Sequence, residues 1–97
     1  MPSVKLTVSQ RDSKHCTHTG AAHEVSYAKH VCPECVERGA AWVELRICMT
    51  CGHVGCCDSS KHRHARAHYE ATGHPLIKTI EAGPDWAWCY LDETYLD

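Results

Sequence analysis

The stretch CMTCGHVGCCDSSKHRHARAHYEATGHPL, residues 48–76, decides how this chain folds. It opens with the C-x-x-C pair Cys48 and Cys51, adds Cys56 and Cys57, and then sets out His64, His68 and His74. His64 and His68 are four apart, so on a helix they share one face. Upstream lies a second C-x-x-C pair, Cys32 and Cys35. A C-x-x-C turn aims two thiolates at one ion while backbone amides of the turn donate to the sulfurs. Thiolate with imidazole in roughly tetrahedral sets selects Zn2+ over hard cations, and the number of histidines argues against iron–sulfur clusters.

Working outward, the composition calls for the same help. The 97 residues allow one domain, yet Leu, Ile and Val together number 15 and Phe is absent, against 8 Cys and 9 His. A chain of this size buries only roughly 60–65% of its unfolded surface, so apolar burial alone leaves it marginal. Four disulfides could also stabilise it. However, Met1–Gln10 alternates polar and apolar residues without the apolar stretch of an export signal. The expectation is therefore a cytoplasmic protein whose thiols hold metal. No apolar run approaches the roughly 18 residues of a membrane span, and the length excludes a large catalytic α/β scaffold.

The formal charge is −2, and seven thiolates with three Zn2+ would bring it to about −3, which is no electrostatic footprint for nucleic acid. Lys61, His62, Arg63 and Arg66 do form a local basic cluster, with Asp58 and Glu70 close by. A nucleic-acid-binding zinc domain is the alternative reading.

Along the chain, residues 1–14 read as an N-terminal strand (Val4, Leu6 and Val8 alternate) or a flexible tail, and residues 15–97 as the zinc domain. His15–Cys35 reads as loop, with a helical turn around Glu24–Lys29. Strands are predicted near Trp42–Ile47, Leu76–Glu81 and Trp86–Leu91, and a turn-rich segment over Gly52–Ser60. Lys61–Thr72 is the main helix, ended by Gly73. The expected fold is α+β: a small zinc-stabilised domain in which a short antiparallel sheet packs against one main helix, with zinc knuckles around it.

The order Cys-x-His … Cys-x-x-Cys … Cys-x-x-Cys-x4-Cys … His-x3-His-x5-His-Pro-Leu … Trp-Cys-Tyr closely resembles the ubiquitin-protease-type zinc finger, the ZnF-UBP or BUZ domain, over about residues 15–95. The Gly-Cys-Cys-Asp-Ser-Ser variant at 55–60 is similar to free-standing bacterial members. The resemblance implies three zinc sites: Cys32, Cys35, Cys56 and His64; Cys48, Cys51, His68 and His74; and Cys16, His18 and Cys89, completed by Asp92 where three-zinc relatives carry a fourth Cys. His15 is the competing fourth ligand. Spacing from Cys51 favours Cys56 over Cys57, which leaves Cys57 a spare thiol. Four-coordinate sites without an open position read as structural, so no enzymatic activity is expected.

The resemblance also implies an interaction module that captures a free Gly-Gly C-terminus, and a monomer. Trp88, Tyr90 and Tyr95 match pocket-wall positions. Two departures argue against ubiquitin itself as the ligand. Asp58 stands where relatives carry a carboxylate-binding Arg, and an Asp there would repel a terminal carboxylate. Arg46 replaces an aromatic two residues before the second C-x-x-C. It either supplies a guanidinium from another pocket wall or is a plain surface residue on its strand. Capture of another glycine-rich or free C-terminal peptide stays open.

Overall fold

The computed structural model describes residues 2–7, 10, 17–83 and 85–96. The expected Val8 position of the N-terminal strand, Cys16 and His15 lie outside the described residues. Among these residues the chain forms two antiparallel sheets and two α-helices. The main sheet has the order β4-β3-β5-β6-β7, with β3 at Leu45–Cys48, β4 at Val54–Cys56, β5 at Leu76–Thr79, β6 at Ala87–Cys89 and β7 at Thr94–Leu96. β1 (Ser3–Val4) pairs with β2 (Val25–Ser26) in a separate ribbon. The helices are α1, Pro33–Arg38, and α2, His64–Thr72. No helix is long and apolar enough to cross a membrane.

Directly opposed residues of an antiparallel pair share a face. The registers Arg46↔Gly55, Arg46↔Thr79, Cys48↔Ile77, Ile77↔Trp88 and Trp88↔Tyr95 therefore put these residues on one face. Leu45, Ile47, Leu76, Ala87, Cys89 and Leu96 take the other face. That second face is the core, where Leu6, Cys32, Cys35, Val54 and Cys56 close over it. α2 lies along β4 and β3, and Gly55 lets it approach: a Cβ there would stand 2.6 Å from the backbone nitrogen of Ala65.

Three predicted strands and the main helix are present; β3 starts three residues later than expected and runs one further, to Cys48, and the others are trimmed by one to three residues at one or both ends. The helical turn expected around Glu24–Lys29 is replaced by β2, because Val25 pairs with Val4 rather than closing a local turn. The loop reading of the residues up to Cys35 also missed α1. Its signals were local: Pro33 at the first helical position, Glu34 in the first turn, and Gly39 at φ 68° ending it in the left-handed region. The segment Gly52–Ser60 contains β4, and the last strand, β7, closes the opposite edge of the sheet.

Candidate metal centres and an aromatic pocket

The C-x-x-C pair at the start of α1 meets the end of β4 and the start of α2. Cys35 Sγ lies 3.8 Å from Cys56 Sγ, and the Nδ1 of His64 is 3.2 Å from Cys32 Sγ, 3.4 Å from Cys35 Sγ and 3.5 Å from Cys56 Sγ. A tetrahedral zinc with Zn–S of about 2.3 Å and Zn–N of about 2.0–2.1 Å separates its sulfurs by roughly 3.8 Å and sulfur from nitrogen by roughly 3.6 Å. The four donors fit that ion. The three sulfurs are buried. The His64 backbone N–H donates to Cys56 Sγ at 3.2 Å, so the first turn of α2 directs an N–H at a would-be thiolate. Burial and the neighbouring thiols push the Cys35 thiol up to about 12 without an ion. A cation replacing the protons is the natural partner of such a cluster.

The second C-x-x-C leaves β3 and reaches the next turn of α2. Cys51 Sγ is 3.3 Å from His68 Nε2 and Cys48 Sγ is 3.6 Å from His74 Nδ1. All four donor atoms lie within 4.8 Å of one another. The two sets interleave as expected: adjacent turns of one helix serve different centres. His53 stacks on His68 with ring centroids 4.2 Å apart and meets Glu34 at 3.1 Å, so a ring between the knuckles braces a ligand-bearing one.

A third set joins chain regions far apart in sequence. His18 Nδ1 is 2.9 Å from Asp92 Oδ2 and 3.5 Å from Cys89 Sγ, and Cys89 Sγ is 3.7 Å from Asp92 Oδ2. Asp92 thus brings a carboxylate oxygen to this set. Cys16, its remaining expected member, lies outside the described residues. Cys32, Cys35, Cys48, Cys51, Cys56 and Cys57 are free thiols, which removes the cystine alternative for these six.

The four residues expected to touch a peptide, Arg46, Trp88, Tyr90 and Tyr95, all line one cavity of about 250 Å³ on the helix-bearing face of the sheet. Trp88 meets Tyr95 edge-on at 4.8 Å, and Trp86 meets the same ring at 5.4 Å. Tyr90 is stacked on Tyr69 at 4.8 Å. Burial is the first cause that pushes its phenol pKa up, so the ring stays neutral.

Arg46 is not a surface residue: at 8% exposure it sits over Trp86, 4.5 Å from the ring centroid. Its Nη1 donates to the Leu45 carbonyl at 2.9 Å and lies 3.5 Å from Thr79 Oγ1, and its Nη2 donates to Glu44 at 3.0 Å. Asp58 does not face the cavity as a bare charge. Its carboxylate takes Arg66 Nη2 at 2.7 Å and Nε at 3.1 Å, while the guanidinium lies 5.2 Å from the Tyr90 ring centroid. Both side chains are more than a third exposed, so this pair adds at most about 1 kcal/mol of stability and matters mainly for orientation.

Trp86, Arg66 and Cys57, which also line the cavity, were not singled out for it. Trp86 had a signal, the i, i+2 spacing from Trp88 along one strand face. Arg66 had none, because its approach depends on how α2 crosses the sheet. The Cys57 thiol packs 3.7 Å from Ser60 Oγ. Burial opposes its ionisation, but the Ser60 hydroxyl, backbone donors and Arg46 outweigh that, and its pKa is lowered.

Comparison with known proteins agrees with this architecture. The profile described as "Zn-finger in ubiquitin-hydrolases and other protein" matches residues 32–97. The chain is similar to the solution NMR structure of protein RPA1320 from Rhodopseudomonas palustris, with TM-score 0.78 and 47% identity over 88% of this chain and 83% of that one. It is also 37% identical over 67 residues to the NAD-dependent deacetylase sir2A of Dictyostelium discoideum, covering 67% of this chain but only 11% of that curated relative's length. With more than one fitting Cys/His set in a zinc-finger family, zinc is the cofactor, bound at more than one site. The chain belongs to the UBP-type zinc fingers, the Zn-fingers of ubiquitin hydrolases and other proteins.

Proposed function

We propose that this domain is a non-catalytic interaction module that captures the free C-terminus of a glycine-rich peptide, and that its zinc ions are structural. The assignment takes one zinc on Cys32, Cys35, Cys56 and His64, a second on Cys48, Cys51, His68 and His74, and a third on Cys16, His18, Cys89 and Asp92. A closed set of four protein ligands has no position for water or substrate, which supports a scaffolding role. The family is one of protein-interaction modules in general.

The observation that carries the reading is the cavity itself. Two guanidiniums and the rings of Trp86, Trp88, Tyr90 and Tyr95 converge on about 250 Å³. That volume suits the last residues of an extended chain whose side chains are small. The rings supply flat walls for glycine backbone, and a guanidinium supplies forked donors for a terminal carboxylate. The basic cluster offers less to nucleic acid than its sequence suggests, since Arg66 is already paired with Asp58.

Calorimetric titration of the zinc-loaded protein with a short peptide ending in free Gly-Gly, beside the same peptide amidated, tests this. Tighter binding of the free acid is expected. Equal responses from the two peptides remove the carboxylate pocket.

A further inference from the structure

Two arginines line the cavity, and their hydrogen bonds distinguish them. Arg46 is buried and has both terminal nitrogens engaged by the protein, Nη1 by Leu45 and Thr79 and Nη2 by Glu44. Its forked end is closed. Arg66 is the opposite case. Asp58 takes the side edge, Nε with Nη2, at 3.1 and 2.7 Å. Among the described residues, nothing accepts from its Nη1. The Nη1–Nη2 edge is the fork that a carboxylate accepts in bidentate fashion. The guanidinium lies 5.2 Å from the Tyr90 ring centroid, and the side chain remains 41% exposed, so a ligand can reach it.

We infer that Arg66 receives the terminal carboxylate through its Nη1–Nη2 edge, and that Asp58 is a positioning residue that holds the guanidinium toward the pocket. This rests on the proposed capture of a free C-terminus. The Asp at the position expected to repel a carboxylate is then part of the receiving device. It sits behind the guanidinium and orients it, and the cation comes from the first turn of α2 instead of the loop after the cysteines. Arg46 keeps a structural place over the Trp86 ring, joining β3 to Thr79 of β5.

Three variants test the assignment against the free-acid and amidated Gly-Gly peptides, each checked for unchanged zinc content by native mass spectrometry. Arg66→Gln is expected to weaken binding of the free acid by roughly tenfold or more and to leave the amide unchanged, since a charge-assisted bond is lost. Arg66→Lys keeps the charge without the fork and is expected to recover only part of the preference.

Asp58→Asn gives the sharpest contrast. If Asp58 merely repels the ligand, removing its charge tightens free-acid binding. If it positions Arg66, binding loosens several-fold despite the more positive pocket. Retention of the full free-acid preference in Arg66→Gln, or tightening in Asp58→Asn, overturns the inference while leaving the capture function standing. Loss of any free-acid preference in the unaltered protein brings down both.

Discussion

Gly55 shows how much one position can hold. Its added Cβ would lie 2.6 Å from Ala65 nitrogen, 2.8 Å from the His64 carbonyl carbon and 2.9 Å from Ala65 Cα, all of them backbone atoms that no rotamer change can move. The contact seats α2 on β4 and therefore sets where His64 meets Cys56. Gly55→Ala is expected to destabilise the zinc-loaded protein by about 1–3 kcal/mol through overpacking, read from the midpoint of chemical denaturation. A midpoint unchanged within error would mean that the helix is not held that closely. Gly55 looked in sequence like any turn residue beside a knuckle. The plain-surface alternative for Arg46 fails for a related reason: alternation along β3 separates two faces but cannot say that both are covered. A helix and aromatic rings lie over one face and the N-terminal segment over the other, so the strand that reads half-exposed is buried throughout.

At the scale of elements, β5 makes the same point with a charge. Lys78 is 6% exposed in a strand with neighbours on both sides, and its ammonium meets Asp85 just before β6. Burial is the cause that lowers its pKa. A base with a lowered folded pKa makes stability rise with pH between that value and the unfolded one, because the unfolded chain binds the proton more tightly there. Asp85→Ala should leave the ammonium without its ion-pair partner and cost about 1–2 kcal/mol, discounted because Asp85 is half exposed. Lys78→Met should be neutral or stabilising and flatten the rise in stability toward alkaline pH. Urea denaturation at pH 7 and pH 9.5 measures both; a strongly destabilised Lys78→Met would show that the ion pair itself holds the hairpin. The strand was legible from Leu76, Ile77 and Ile80, and the helix from its histidine spacing and Gly73. β4, β7 and α1 were not read, because edge strands of three residues and a helix of six carry too few periods to stand out from turns.

For the whole molecule, the ions take the place of a larger core. Among the described residues the core cluster sets four Leu, one Ile and one Met beside four cysteines of the Cys/His sets. Exhaustive chelation is expected to abolish cooperative unfolding, and circular dichroism that stays native afterwards would rule out metal-dependent folding. Native mass spectrometry should find three zinc ions, two in Asp92→Ala, and three in Cys57→Ser; an unchanged count in Asp92→Ala would remove the carboxylate from the third site. Thiolate ligands must lose protons, so loading should fall as pH falls.

The two C-x-x-C pairs and the histidine spacing by themselves pointed to zinc, because a tetrahedral ion demands a few donors at short, recognisable intervals, while the grouping of the ligands came from the family resemblance. They also determined the main helix and the fold class that the ions impose. Only the tertiary structure decided the rest: that Arg46 is buried, that Asp58 pairs with Arg66, and that Arg66 joins the aromatic rings around the cavity. Those facts depend on how a helix crosses a sheet, and a crossing is set by contacts such as Ala65 on Gly55 that leave no period in the chain.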